Sequence, residues 1–184
     1  MPRELLLSPL VAVLLSAIVL AAAVFDVRRR RIPNWLTGAG IALGFAANMY
    51  ERGAGRGFLF SLSGLAVATS VYMLLYVLRA LGGGDSKLMS AAGAFAGWQN
   101  WIGIFIVTAI LGGVAAIVLA AARGRLRQTL WNTGFVLSEA KRGRPAYLTR
   151  KDLDVRTGQG MSLPHGAIIA VSTLIYLAIQ ARLA

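Results

Sequence analysis

The sequence predicts an all-α membrane protein, a bundle of six transmembrane helices with the fourth helix short and the N-terminus outside. Three observations lead there. Hydrophobic residues make up 57% of the 184 and charged residues only 14%, with a mean hydropathy of +0.67; a soluble domain carries roughly 25% charged residues. Apolar stretches of the length that crosses a hydrocarbon core of about 30 Å recur along the chain. Between them the Lys and Arg fall in blocks, as expected where basic loops stay on the cytoplasmic side. Length and composition fit one polytopic domain over residues 1–184.

The first apolar run, Leu5 to Phe25, is too long for the hydrophobic region of a cleavable signal peptide and no A-x-A-like site follows it, so it reads as a retained span. Trp35 to Tyr50 is the second, opened by Pro33, which suits a first helical turn. Phe58 to Leu78 is the third. After Gly82-Gly83-Gly84-Asp85-Ser86-Lys87 comes the short stretch Leu88 to Gly97, then Trp101 to Ala122, and finally Leu163 to Leu183. Counted from Asp85 to Trp98, the fourth helix covers only about 20 Å at 1.5 Å per residue. It is a short or tilted span, or a re-entrant helix shielded by neighbours.

Charge placement decides the topology. With six spans and the N-terminus outside, 15 of the 19 Lys and Arg face the cytoplasm: Arg28 to Arg31, Arg79, Lys87 and nine between Arg123 and Arg156. Treating the fourth stretch as a hairpin would put the long basic loop, about 123–160, on the opposite face from Arg28 to Arg31. The net charge of +12 is therefore a topology signal rather than a nucleic-acid footprint. The loop holds Trp131, Phe135 and Tyr147 among its basic residues. It is either a solvated loop or a segment lying on the anionic inner leaflet.

With no cysteine and the one histidine His165, thiol chemistry, a disulfide framework and a multi-histidine metal site are excluded. No cofactor and no metal are expected. Of seven acidic residues, Asp26 and Asp85 alone sit where an apolar helix meets the cytoplasmic interface, on one face at similar depth. Each has a plain explanation: Asp26 ends a span beside Arg28 to Arg31, and Asp85 caps the next helix. Together they point to chemistry, because ionisable groups at span ends that face a bundle interior tend to be functional. Two carboxylates in contact cannot both stay ionised, so they share a proton. One then takes a proton from water while the other polarises a carbonyl, with no metal or covalent intermediate. The glycines before Asp85 offer unusual backbone angles and close approach to an extended substrate, or simply a flexible loop.

These residues resemble a known family. Gly82-Gly83-Gly84-Asp85 matches the G-x-G-D motif of intramembrane aspartyl proteases, and Asp85-Ser86-Lys87-Leu88 the D-x-K-L continuation of type IV prepilin peptidases. Asp26 followed by Ile32-Pro33-Asn34 looks like that family's first-aspartate segment. Leu163-Pro164-His165-Gly166 resembles its proline–aromatic–glycine segment, with His165 in place of Phe or Tyr and therefore a packing role. The resemblance implies an aspartyl endopeptidase of a bacterial inner membrane that removes the leader of prepilin precursors at the cytoplasmic face. Asp26 and Asp85 would be catalytic, and Gly82, Gly84, Lys87, Pro33 and Asn34 would support the motif or the substrate. The larger members carry C-x-x-C pairs linked to N-methylation. This chain lacks them and resembles the short form associated with Flp-type tight-adherence pili, without methyltransferase activity. The competing readings are a preflagellin-type peptidase, a non-enzymatic pilus or secretion-machine subunit, and a proton-coupled transporter. The last would hold its ionisable groups nearer the midplane.

Overall fold

A computed structural model describes residues 6–77, 83–141 and 164–183. Its elements are α1 (Pro9–Arg29), α2 (Asn34–Arg52), α3 (Ala54–Val77), α4 (Gly83–Ala122), α5 (Leu126–Lys141) and α6 (His165–Leu183). The described residues are all-helical. Four helices, α1, α3, α4 and α6, are long and apolar enough to cross a membrane.

α4 is two helices in one. At Gly97 the backbone takes φ 67° and ψ 168°, and the helix breaks. The Trp101 indole N–H donates to the Met89 carbonyl at 3.1 Å. Twelve residues of continuous helix would separate such groups by about 18 Å, so the second limb (98–122) folds back antiparallel along the first (83–96). Counting both limbs and leaving α5 aside, six rods make up the bundle.

The first limb is the axis of that bundle. Every residue from Leu88 to Gly97 is buried, which explains its run of small residues, SAAGAFAG. On one side α2 runs parallel to it, Gly40 lying over Ala91 and Gly44 over the Ala94–Phe95 backbone. On the other side α3 runs antiparallel. Gly64 and Gly93 pack backbone to backbone, and Thr69 Oγ1 donates to Ser90 Oγ at 3.0 Å. Small residues let helices approach closely enough for dispersion to hold them where lipid provides no hydrophobic drive.

At about 21 Å the first limb falls short of a hydrocarbon core of about 30 Å. Its last carbonyls therefore end at membrane depth, where an unpaired carbonyl is costly. Two asparagines meet that need. Asn48 of α2, fully buried, places its amide nitrogen 3.1 Å from the Ala94 carbonyl and 3.0 Å from that of Phe95. Asn100 donates to the Ala96 carbonyl at 2.9 Å, and its Oδ1 accepts from Tyr176 and Gln180 of α6. Asn48→Leu is expected to lower stability by about 3 kcal/mol by leaving those carbonyls uncapped, read as a lower melting temperature in detergent.

Two boundaries differ from expectation. α1 continues past Asp26 to Arg29, and Arg30 closes it in the left-handed conformation (φ 50°) with its N–H on the Asp26 carbonyl at 2.8 Å. The basic run does not end the helix, because Arg is a good helix former and its charge is favoured at a C-terminus. Part of the predicted basic loop is helical, as α5. The rest of that loop beyond residue 141, with Tyr147, lies outside the described residues.

Candidate active site

Asp26 and Asp85 sit at one end of the bundle, where α1 and α3 finish and α2, α4 and α6 begin. Asp26, in the last turn of α1, is 9% exposed and carries its carboxylate into the interior. Its Oδ2 accepts the backbone N–H of Gly166 at 2.8 Å, a bond spanning 140 residues of sequence. The first turn of a helix leaves its N–H groups without internal partners, and Gly166 is the second residue of α6. A carboxylate is therefore held by a helix N-terminus whose dipole favours negative charge. Glycine allows this approach without a shift: a Cβ at 166 would lie 2.9 Å from Oδ2 and 3.1 Å from the Asp26 Cβ, so the carboxylate would have to move.

Asp85 is half-buried in the first turn of α4. The helix begins at Gly83, two residues ahead of Asp85, so Asp85 lies inside the first turn rather than at the cap. There the same dipole acts on its charge. Gly83 and Gly84 belong to that helical turn and neither has a positive φ, so the unusual backbone angles expected of this stretch are not found at these two positions. A methyl group on Gly84 would meet the Ile32 side chain at an ordinary 3.7 Å, so packing there does not require glycine. Gly82 lies outside the described residues.

The segment between α1 and α2 ties the two aspartates' elements together. Ile32, buried, lies against Gly84. Pro33 stands at the cap of α2 in extended conformation, and the Leu36 N–H closes the first turn on its carbonyl at 3.2 Å. Asn34 follows, and its Oδ1 accepts from Lys87 Nζ at 2.7 Å. One motif thus begins six residues beyond Asp26 and grips the helix that starts at Asp85. Lys87 acts as a strut between α2 and α4. His165 packs toward Gly112 of the second limb, its Cε1 3.6 Å from the position a Cβ would take there.

A family model, the type IV leader peptidase family, matches residues 13–117. The chain belongs to that family. The matched segment holds both aspartates, Pro33, Asn34, Gly84 and Lys87, and stops short of α6. Three curated relatives, all of one name, are similar over 61% of the chain. The prepilin leader peptidase/N-methyltransferase of Neisseria gonorrhoeae is 31% identical over 117 residues, 41% of its own length. Proteins of the same name from Burkholderia pseudomallei strains 1026b and K96243 are 30% identical over 122 residues, 38% of theirs. The chain spans about two fifths of the length of these relatives. No solved structure matches it significantly.

For a leader-peptidase family member, the sequence-predicted residues are well gathered. Ile32, Pro33, Asn34, Gly84 and Lys87 meet at the end of the bundle that carries Asp26 and Asp85. What sequence reasoning missed is Gly166, although it closes the Pro164-His165-Gly166 segment that drew attention. The donor is a backbone N–H, which every residue but proline has, so the usable signal was the glycine itself.

Gly166→Ala follows from this geometry. The added methyl displaces the Asp26 carboxylate, so activity resting on Asp26 is expected to fall about 10-fold or more, since a misplacement near 1 Å costs that order or beyond. Stability is expected to change by about 1 kcal/mol, because alanine also favours the helix. Cleavage kinetics and melting temperature measured on one preparation check both halves.

Proposed function

We propose that the chain is a membrane-embedded aspartyl endopeptidase that removes the leader peptide from Flp-like type IV prepilins. Asp26 and Asp85 are its catalytic pair. One observation carries the reading: a buried carboxylate at the end of α1 and a half-buried one at the start of α4 share one end of a membrane bundle, bridged by the Ile32–Gly84 and Asn34–Lys87 contacts. Family membership supplies the reaction class.

The topology belongs to the same proposal. The six rods cross a bacterial inner membrane with the N-terminus outside. The site and the basic segment around α5 then face the cytoplasm, where a positively charged leader would emerge. The ionised member of the pair activates water, and the protonated member polarises the scissile carbonyl. A peptide bond inside a helix is covered by its own hydrogen bonds, so the substrate must be extended there. The proposed activity of these 184 residues, which contain no cysteine, is the cleavage step.

The test is incubation of the purified protein in lipid with a Flp-like prepilin, its products read by mass spectrometry, beside Asp26→Asn and Asp85→Asn. A single cut behind the leader that disappears in both variants supports the proposal. Cleavage that persists in either well-folded variant refutes it.

A further inference from the structure

The second limb of α4 stays apolar on its exposed side almost to its end, at Ile110, Val114, Ile117 and Val118, so hydrocarbon reaches nearly to Ala122. There the helix stops. Gly124 takes φ 65°, and the Gly124 and Arg125 N–H groups close on the Ala121 and Ala120 carbonyls at 3.0 and 2.9 Å. α5 starts just beyond, at Leu126. A helix of 16 residues, about 24 Å long, therefore sets out from the lipid–water boundary. It does not pack along the limb it leaves.

The two sides of α5 differ. Asn132, Phe135 and Glu139, at helical spacing, are half-buried or buried. Arg127, Trp131, Gly134 and Ser138 share another face and are all exposed, with Trp131 76% exposed. Glu139 is the only acid of the helix, so the open face carries no negative charge. Arg123 and Arg125, in the turn ahead of α5, are exposed as well. No carboxylate pairs with any of these three arginines among the described residues. Topology accounts for basic residues after a span. It does not account for an indole held out on the same face, nor for arginines at the start of a helix, where the dipole opposes them. A partner that is anionic and also takes an indole fits both observations. A layer of lipid headgroups is such a partner: Trp favours that depth, and phosphates accept two-pronged bonds from guanidinium groups.

We propose that α5 docks by its open face on an anionic phospholipid surface, with Trp131 among the headgroups and Arg123, Arg125 and Arg127 on lipid phosphates. Gly134 and Ser138 are small and let the backbone lie close to that plane. Three arginines near an anionic surface favour the docked state about 100-fold over docking on a neutral one. The docking involves no catalysis and holds whether or not the chain cleaves prepilins.

The chain has no cysteine, so Ser138→Cys gives a single attachment point for an environment-sensitive fluorophore on the open face. The labelled protein is placed in nanodiscs of phosphatidylcholine alone or with an equal part of phosphatidylglycerol. Each disc also holds a lipid that carries a nitroxide quencher near its headgroup. Quenching is expected to be about 3-fold stronger in the anionic discs and to fall back as salt screens the attraction. Arg123→Gln, Arg125→Gln and Arg127→Gln together should remove the difference. The same three positions changed to Lys should keep most of it, because the charge survives, and that variant keeps the test valid if the first folds poorly. Trp131→Ala should lower quenching in the anionic discs about 2-fold. Inorganic phosphate added to the phosphatidylcholine discs separates a lipid from a free anion: it should do no more than chloride at the same ionic strength. Equal quenching in the two discs, as a solvated helix or one reserved for an acidic protein would give, overturns the proposal. So does loss of the difference in the lysine variant, or a change specific to inorganic phosphate.

Discussion

Asp26→Asn and Asp85→Asn are each expected to lower prepilin cleavage about 1,000-fold or more, a loss of roughly 4 kcal/mol of transition-state stabilisation. Asparagine matches the shape of aspartate and separates chemistry from structure at both sites. At position 26 the amide oxygen still accepts the Gly166 N–H that now lies 2.8 Å from Oδ2. At position 85 the side chain stays in the first turn of α4 and forgoes its attraction to the helix dipole, about 0.3–1 kcal/mol. Helix content and melting temperature should therefore stay close to wild type, while the ability to take or give a proton is gone. The double variant sharpens the test. Two carboxylates acting as one unit lose their function when either is removed, so the second substitution should add little to the first. Multiplied losses would instead mean two independent contributions.

Much of this arrangement was legible in the sequence, and the reason is physical. Asp26 and Asp85 stood out because a carboxylate is expensive next to hydrocarbon. The short fourth helix was visible because length in a membrane is a hard constraint. Lys87 and Asn34 were marked by motif, and their 2.7 Å bond gives that motif a mechanical meaning the spacing alone does not contain. The groups that escaped notice are of another kind. Asn48 and Asn100 carry no comparable mark in the sequence, because the carbonyls they cap are exposed by the break at Gly97. Sequence carries the cost of a residue in its environment, whereas partners brought together by a chain reversal appear only in three dimensions.

That reversal is the subject of the second large effect. Gly97→Ala is expected to destabilise the protein by about 4 kcal/mol, from two costs of similar size. At φ 67° and ψ 168° the backbone is in a region that essentially only glycine occupies, costing a side chain about 1–3 kcal/mol. The added Cβ would also overlap the Phe60 ring, and overpacking of this kind costs a further 1–3 kcal/mol. The ring cannot swing aside freely, because the Arg52 guanidinium lies over it, 3.9 Å from its centroid. Pairing Gly97→Ala with Phe60→Ala separates the terms: the overlap disappears while the backbone cost remains, so the second change should offset part of the damage done by the first. Denaturant melts of the purified variants in one detergent measure the difference. A Gly97→Ala protein as stable as wild type would mean that the chain does not turn at this residue as described. The break also matters to the site at the other end. The first limb is a rigid rod of about 21 Å, with Gly97 at one tip and Asp85 in the first turn of the other. Any shift in the angle at Gly97 is carried along that rod to the carboxylate, so the variant should lose cleavage activity beyond what its folded fraction explains.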